Sequence, residues 1–365
     1  MFLKFITQIL ISLRQIIIDQ SDMKRISMRD IAKELNISTT TVSFVVNGKH
    51  KAMGISDETA QKVHELVEKK GYNPNTSART LRTGKSNTIA LIVEDISNTF
   101  FASIAKGIER EAHKNSYKIF YGSTDDNNDI ADALFTTMKN SAVDGFIITP
   151  TKGMAEQIKK LKKEHIPFIL IDRLIPDIET DYVILDNYSG AYDLTKHLID
   201  NGYRKIGFVT LSGGMSQMEN RKKGFLSALN DAQIGISENA ILEVSYQDTE
   251  DSNIAAIQKY LAHNKHLDAL FFATNYLGIS GLEAIQKNNL TIPTDIAVVS
   301  FDDNVLFRLI VPSITVAAQP IEVIATKSIE LLVKNINKGK KQLKPVGIVI
   351  KPEIIIRNSS AQKSN

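Results

Sequence analysis

Cysteine is absent from the 365-residue chain. Disulfide bonds, thiolate metal sites and cysteine nucleophiles are therefore excluded. A chain without disulfides fits a reducing cytoplasm, where we expect this protein to work. Hydrophobic residues make up 43% of the sequence and charged residues 23%, which is typical of a globular protein. The length allows two or more domains.

The short motifs of common enzyme classes are also missing. The sequence has neither G-x-x-x-x-G-K-[ST] nor G-x-G-x-x-G, so the pair Gly213-Gly214 does not indicate a nucleotide site. No G-x-S-x-G elbow is present, and the seven histidines show no metal-ligand spacing. We predict a protein that is not an enzyme and that uses no cofactor or metal ion.

A long uninterrupted apolar run is lacking as well. Residues 1–22 are mostly apolar, but Lys4 and Arg14 break them into pieces shorter than the ~20 residues that a membrane helix needs. No small-residue cleavage site follows, as a signal peptide would require. We interpret residues 1–22 as an upstream extension of a protein that begins at Met23. The alternatives are an anchor or targeting segment and an extra ordered helix.

Positive charge is concentrated near one end of the chain. The whole protein carries a formal charge of +3, whereas residues 23–85 carry 12 Lys/Arg against 6 Asp/Glu. Residues 1–22 are neutral, so the remaining residues carry −3. A basic N-terminal module on a mildly acidic body suggests a contact with nucleic acid.

Residues 23–73 show the pattern of three short helices. Ser27, Ser38 and Ser56 each stand where a helix N-cap is expected. Val42, Val45 and Val46 would pack inward from the second helix, and Gly71 ends the third. Short helices joined by tight connections are typical of a helix-turn-helix domain.

The outward face of the second helix is rich in small hydroxyl side chains. Such groups can bond to base edges and phosphates in a major groove. The alternative is that they only cap and solvate a short helix. We predict that the following residues of this helix and its ends contact DNA: Ser38, Thr39, Thr40, Thr41, Ser43, Phe44 and Asn47.

Residues 74–85 form a polar, basic segment that we interpret as a hinge helix or linker. Leu81 lies between Arg79 and Arg82. A segment this short is a marginal helix in water and could become ordered on DNA. Leu81 could then part a base step in the minor groove beside the two arginines. The alternative is a flexible linker whose Leu81 packs on the body.

From Ser86 onward, apolar strand-like runs alternate with helical stretches. This alternation predicts an α/β fold with doubly wound parallel sheets. The number of units suggests two similar lobes. Ligands of such sheets bind at the carboxyl ends of the strands. The polar and aromatic residues at those ends have the chemistry of a sugar site.

Several segments together resemble the LacI/GalR family of bacterial transcriptional regulators. They are "MRDIAKELNISTTTVSFVVNGK", "GYNPNTSARTLRTGKSNTIALIV", "DGFIIT", "IPFILIDR", "FFATN" and "VVSFDD". The resemblance implies a helix-turn-helix headpiece, a hinge helix and a core similar to periplasmic sugar-binding proteins. It also implies a homodimer or tetramer on a near-palindromic operator in double-stranded DNA, with no membrane partner.

The resemblance also implies roles for individual residues. Thr39, Thr40 and Phe44 fall at base-reading positions, although a basic residue or His is common where Phe44 stands. Leu81 falls at the position of the minor-groove wedge. The positions implied to contact the effector are Phe101, Asp172, Arg221, Tyr246, Asn275 and Asp302; for each, a strand-end cap or a surface charge is the alternative. Tyr276 replaces an Asp that is common in the family, which alters the pocket wall.

These observations predict a domain order and a function. We expect a helix-turn-helix domain at 23–73, a hinge at 74–85, an effector-binding core at 86–357 and a tail at 358–365. Within the core we expect an N-subdomain of 86–186 plus 315–340 and a C-subdomain of 187–314 plus 341–357. We expect a sequence-specific regulator, a repressor, controlled by a small effector such as a sugar. The alternative function is a sugar-binding receptor or transport component.

Overall fold

A computed structural model describes residues 26–72, 80, 84–237, 239–338 and 344–363. The chain divides between Gly84 and Lys85 into two compact units. Within the described ranges, no helix combines the length and the apolar surface that a membrane span requires.

The described part of the first unit contains three α-helices and a short 3-10 turn. The helices are α1 Met28–Glu34, α2 Thr39–Val46 and α3 Asp57–Lys69, and the turn is Lys51–Met53. Ser27, Ser38 and Ser56 each accept a hydrogen bond from the backbone N–H three residues later. The predicted N-caps are therefore confirmed.

The three helices enclose one small core. Val42, Val45 and Val63 are fully buried, with Ile31 almost so. Gly71 adopts φ +59° just after α3, a conformation that glycine reaches without a Cβ penalty. The inward valine stripe predicted for α2 is confirmed.

The second unit contains two six-stranded sheets. Apolar side chains fill both faces of the central strands, which suits parallel strands covered by helices on each side. The first sheet has the order β11-β5-β4-β3-β1-β2, and all its strands are parallel. Its strands are β1 Thr88–Val93, β2 Lys118–Ser123, β3 Gly145–Ile148, β4 Phe168–Ile171, β5 Tyr182–Leu185 and β11 Gly347–Ile350.

The second sheet has the order β12-β10-β9-β8-β6-β7, in which only the edge strand β12 is antiparallel. Its strands are β6 Ile206–Leu211, β7 Ile241–Val244, β8 Ala269–Phe272, β9 Ala297–Phe301, β10 Thr315–Ala318 and β12 Glu353–Ile355. Each sheet with its helices forms one lobe, and the prediction of two parallel-sheet lobes is confirmed.

The helices of this unit follow the strands in alternation. They are α4 Thr99–Lys114, α5 Asn128–Asn140, α6 Ala155–Lys163, α7 Asn187–Asp200, α8 Ser216–Asp231, α9 Glu250–His263, α10 Asn275–Lys287, α11 Val305–Leu309 and α12 Ile321–Lys338. Helix α12 packs on β3, β4 and β5 of the first sheet, whereas α7 packs on β9, β10 and β12 of the second.

The chain therefore passes between the lobes three times. It crosses after β5, after β10 and after β11. The predicted subdomain boundaries were wrong for two strands. The strand Thr315–Ala318 pairs with β9 in the second sheet, not the first, and Gly347–Ile350 pairs with β5 in the first sheet, not the second. The sequence of a four-residue apolar run does not indicate which sheet the strand joins, because tertiary contacts decide the pairing.

Helices α7 and α8 approach closely where α8 has a glycine. A Cβ built on Gly224 would overlap the carbonyl oxygen of Tyr188 and lie 3.0 Å from the backbone nitrogen of Tyr192. Both atoms belong to the backbone of α7 and cannot rotate away. The close approach of the two helices therefore depends on the absent side chain.

We expect Gly224→Ala to lower the free energy of unfolding by about 1–3 kcal/mol, because the added methyl overpacks the helix contact. Urea denaturation followed by circular dichroism measures the change. Gly235→Ala is the matched control, since a Cβ there meets no atom of the described residues within 4 Å. Equal midpoints for the two variants would contradict the proposed close packing.

Candidate functional site

A cleft opens at the carboxyl ends of the strands, with walls from both sheets. The empty space in this open cleft is about 460 Å³, part of which is bulk solvent. Residues that follow β1 and β4 form one wall, and residues that follow β8 and β9 form the other. The cleft is lined by all six residues that the sequence predicted for an effector site: Phe101, Asp172, Arg221, Tyr246, Asn275 and Asp302.

The second lobe contributes a buried ion pair. Arg221, on α8, is only 2% exposed and donates from Nη1 to Oδ2 of Asp302 at 3.1 Å. Its Nε donates to Oδ1 of Asn187 at 2.8 Å, and Nη1 also donates to the carbonyl of Ala273 at 2.6 Å. The guanidinium carbon lies 3.7 Å from the centroid of the Phe301 ring, a cation–π contact. These contacts hold the guanidinium in one orientation.

Asp302 links this pair to a segment that joins the lobes. Its Oδ1 accepts a hydrogen bond of 2.6 Å from Nε2 of Gln319, which lies between β10 and α12. The backbone of Asp302 adopts φ +68° directly after β9, which turns the chain at the end of the strand. Burial raises the pKa of Asp302, although Arg221 and Gln319 act to lower it.

The first lobe contributes a second charged cluster. Arg173 donates from Nη2 to Oε2 of Glu94 at 2.6 Å and from Nε to Oδ2 of Asp172 at 3.0 Å. Burial disfavours the charged guanidinium, but the two carboxylates outweigh this and raise the pKa of Arg173. Burial raises the pKa of Glu94 against the opposing effect of Arg173.

Aromatic rings complete the lining. Phe100 and Phe101 meet edge to face with centroids 5.0 Å apart at the start of α4. Burial raises the pKa of both Tyr246 and Tyr276, and each phenol O–H can donate a hydrogen bond. Rings of this kind can pack against the apolar face of a small polar ligand.

The sequence-based prediction missed several residues of the cleft, among them Glu94, Gln217 and Gln319. Glu94 comes directly after β1 and is 3% exposed. Its position at a strand end was a usable signal, but the neighbouring Asp95 carried the same signal. Only the turn of the backbone decides which of the two carboxylates faces the cleft.

The residues predicted to contact DNA divide into two groups on α2. Ser38 caps the helix, and its Oγ lies 2.8 Å from Oγ1 of Thr41. Asn47 donates to the carbonyl of Ser43 at 2.6 Å, and its Nδ2 lies 3.4 Å from the Oγ of Ser43. These four residues therefore take part in capping contacts at the two ends of the helix.

The remaining residues of that face point away from the small core. Thr39 and Thr40 are exposed, and Phe44 is half-buried. Arg79, Leu81 and Arg82 lie outside the described residues, as does most of the predicted hinge and all of residues 1–22.

Two family models match this chain. One, described as bacterial regulatory proteins of the lacI family, matches residues 27–75. The other, described as periplasmic binding proteins and sugar binding domain of LacI family, matches residues 86–352. The chain belongs to the LacI family.

Relatives within the LacI family match over most of their length. Catabolite control protein A of Priestia megaterium is 32% identical over 316 residues, covering 86% of this chain and 93% of the relative. The regulator DegA of Bacillus subtilis is 30% identical over 335 residues, covering 91% and 97%. The ribose operon repressor of Haemophilus influenzae is 29% identical over 333 residues, covering 91% and 98%.

Solved structures share the fold. The CelR–cellobiose complex, a transcriptional regulator, gives a TM-score of 0.68 at 24% identity and covers 92% of this chain and 100% of that one. A LacI family regulator from Enterococcus faecium with bound ribose gives 0.66 at 24% identity, covering 76% and 100%.

This LacI-family protein is a DNA-binding transcriptional regulator with a sugar-binding type of core. The family resemblance drawn from the sequence is confirmed. The matched relatives are regulators rather than enzymes. The receptor alternative does not account for the matched helix-turn-helix region. In the part of the chain that the structure describes, no group of three or more metal-ligating side chains is placed to hold a metal ion.

The Arg221–Asp302 pair generates a prediction about stability. Arg221→Met leaves the Asp302 carboxylate buried without its cation, which costs about 3–5 kcal/mol in buried pairs. Without Arg221 the pKa of Asp302 is raised further. A carboxyl group whose pKa is raised in the folded state lowers the free energy of unfolding. This loss grows as pH rises above the pKa of the unfolded state, which is about 4 for Asp. We therefore expect a larger loss at pH 7 than at pH 5 in urea denaturation.

The double variant Arg221→Met/Asp302→Asn is the control for this prediction. It removes both charges, so part of the lost stability should return at pH 7 and the dependence on pH should flatten. A loss that is equal at both pH values and unchanged in the double variant would show that Arg221 acts through packing alone.

Proposed function

We propose that this regulator is a homodimeric repressor whose affinity for its operator is controlled by a sugar-like effector bound in the cleft. The observation that carries the proposal is the convergence of the six predicted residues. They come from positions as distant as Phe101 and Asp302 in the sequence, yet all line one cleft between the two sheets. A concave site with a few converging polar groups and aromatic rings is the usual form of a small-molecule site.

The hydrogen-bonding groups of the cleft support a hydroxylated ligand. Asp172 and Asp302 offer acceptor oxygens, and Arg221 and Asn275 offer donors. Phe101 and Tyr246 offer ring faces. Related regulators of the same fold have been solved with cellobiose and with ribose. We therefore propose a carbohydrate as the effector of this chain.

The helix-turn-helix unit supports operator reading by α2. Thr39 and Thr40 are its exposed hydroxyls, and Ser38 with Thr41 caps the helix that carries them. We propose that Thr39, Thr40 and Phe44 contact base edges, while Ser38, Thr41, Ser43 and Asn47 shape the helix ends and meet phosphates. Arg79, Leu81 and Arg82 keep their proposed role in the minor groove on the basis of the sequence.

The path of the chain supports control by the effector. Asn187 follows one crossing between the lobes and bonds to Arg221, and Gln319 lies in another and bonds to Asp302. A ligand that engages the Arg221–Asp302 pair therefore acts on two of the three crossings. We propose that this changes the relative pose of the lobes and so couples the cleft to operator binding.

An exposed apolar surface supports the homodimer. Val305, Leu306 and Leu309 of α11 are 56%, 45% and 71% exposed, and Val311 is 97% exposed. Phe307 is fully buried and anchors the helix beneath them. Four large apolar side chains exposed within seven residues mark an interaction surface. We propose that a second copy of the chain covers it.

Operator binding with and without sugars tests the proposed function. Genomic footprinting with the purified protein should show near-palindromic sites whose occupancy changes when a cognate sugar is added. Asp172→Asn should raise the sugar concentration that gives a half-maximal response by at least about tenfold, because a charge-assisted hydrogen bond is lost.

Asp177→Asn is the matched control. Asp177 lies on the same loop, is exposed and also has a positive φ, of +62° against +67° for Asp172. Its variant should respond as the wild type does. If no sequence is protected above random competitor DNA, the proposed function is wrong. If Asp172→Asn responds normally, the effector site is misplaced.

A charged substitution in the exposed apolar surface of α11 tests the proposed dimer. Leu309→Asp should convert the dimer to a monomer at micromolar concentration, because a desolvated carboxylate opposes burial of the patch. Sedimentation velocity measures this directly. Ile236→Asp is the control, since Ile236 is 48% exposed but lies outside the patch. A wild-type protein that sediments as a monomer, or an unaffected Leu309→Asp dimer, would contradict the proposed interface.

A further inference from the structure

The charges in the cleft restrict the chemistry of the effector beyond the sugar class. Among the described lining residues, three carboxylates stand against two guanidiniums, which leaves a formal charge of −1 with no lysine or histidine. We infer that the effector is an uncharged polyhydroxyl molecule that carries no phosphate or carboxylate group. This inference rests on the proposed function, because it concerns the same cleft.

Arg173 is not available to neutralise an anion. Its Nε and Nη2 donate to Asp172 and Glu94, and its Nη1 lies 3.7 Å from the sulfur of Met215. Each of the three nitrogens therefore has a partner, and the two carboxylates outweigh the single positive charge of Arg173. An anionic ligand would have to compete with carboxylates that are fixed in the fold.

Arg221 has one guanidinium nitrogen left for a ligand. Its Nε donates to Asn187, and its Nη1 donates to Ala273 and Asp302. Among the described residues, Nη2 has no hydrogen-bond partner. A ligand group at this place meets a donor beside the acceptor oxygens of Asp302. A hydroxyl can accept from one and donate to the other, whereas a phosphate dianion can only accept and would bring like charge to Asp302.

The start of α8 is the part of the cleft most favourable to an anion. Met215 precedes the helix and provides no side-chain cap, so the positive end of the helix dipole faces the ligand space. However, Gln217 in the first turn is 5% exposed, and its buried Oε1 has no hydrogen-bond partner among the described residues.

In the orientation that the structure gives the Gln217 amide, a hydrogen-bond donor would complete its contacts. The Nε2 of Gln217 lies 3.8 Å from the sulfur of Met215, which leaves Oε1 as the atom that still needs a partner. A buried acceptor without a donor is costly. A ligand hydroxyl can accept from the N–H groups at the start of α8 and donate to Gln217, whereas a fully ionised phosphate or carboxylate can only accept.

Matched sugar pairs test the inference on the purified full-length protein. The pairs are ribose with ribose 5-phosphate, glucose with glucose 6-phosphate and cellobiose with its 6′-phosphate, measured by titration calorimetry. Inorganic phosphate is compared with chloride at equal ionic strength in a thermal shift assay. We expect at least one uncharged member to bind, its phosphate to bind at least about tenfold more weakly, and inorganic phosphate to give no shift beyond chloride.

The possible outcomes separate this inference from the proposed function. If a phosphorylated member binds as tightly as its parent and alters operator binding, the inference is wrong and the proposed function stands. If no member of any pair binds or alters operator binding, the proposed effector site is wrong and the inference falls with it.

Two variants and one control variant sharpen the test. Glu94→Gln removes one negative charge and leaves Arg173 with Asp172 as its one carboxylate partner, so the discrimination against the phosphorylated member should fall by about tenfold. Glu109→Gln, an exposed position on α4, should leave the discrimination unchanged. Gln217→Met should weaken binding of the uncharged sugar by about tenfold, because the ligand hydroxyl loses its acceptor. An unchanged affinity in Gln217→Met would show that Gln217 does not bind the ligand.

Discussion

The buried ion pair between Arg221 and Asp302 ties together the parts of the core that carry function. Its geometry requires α8, the end of β8 and the end of β9 to meet at one point, since Arg221 also bonds to the carbonyl of Ala273. Two segments that join the lobes contribute Asn187 and Gln319 to the same network. A pair that is desolvated in this way contributes little net stability by itself, but it tolerates few alternative arrangements. The floor of the cleft and the connections between the lobes are therefore one structural element.

Much of this architecture could be predicted from the sequence, because strong local patterns coincide with the elements. The apolar run at Thr88–Val93 became the buried strand β1, and Ser27, Ser38 and Ser56 cap the helices that they precede. The strands at Thr315–Ala318 and Gly347–Ile350 were assigned to the wrong sheets. Their patterns are too short to distinguish two similar parallel sheets, and the crossings that place them depend on contacts distant in the sequence.

The candidate site shows a similar division. Residues at strand ends were expected to converge, because parallel strands present their carboxyl ends at one edge of a sheet. Asp172 and Asp302 lie in the cleft with positive φ at the ends of β4 and β9. Glu94 and Gln217 were not anticipated, since many acidic and amide side chains stand near strand and helix ends. Their relevance comes from burial and from missing partners, which only a three-dimensional arrangement reveals.

The three passages of the chain between the lobes have a consequence for how such a protein can change in evolution. Neither lobe is a continuous stretch of sequence, because β11 and β12 return separately to the two sheets. Recombination cannot exchange one lobe alone without cutting the chain at several places, so the two walls of the cleft are inherited together. The helix-turn-helix unit, in contrast, ends before Lys85 and is contiguous. A single crossover there could graft a new operator preference onto an unchanged sensor, which allows the regulated genes and the sensed compound to diversify independently.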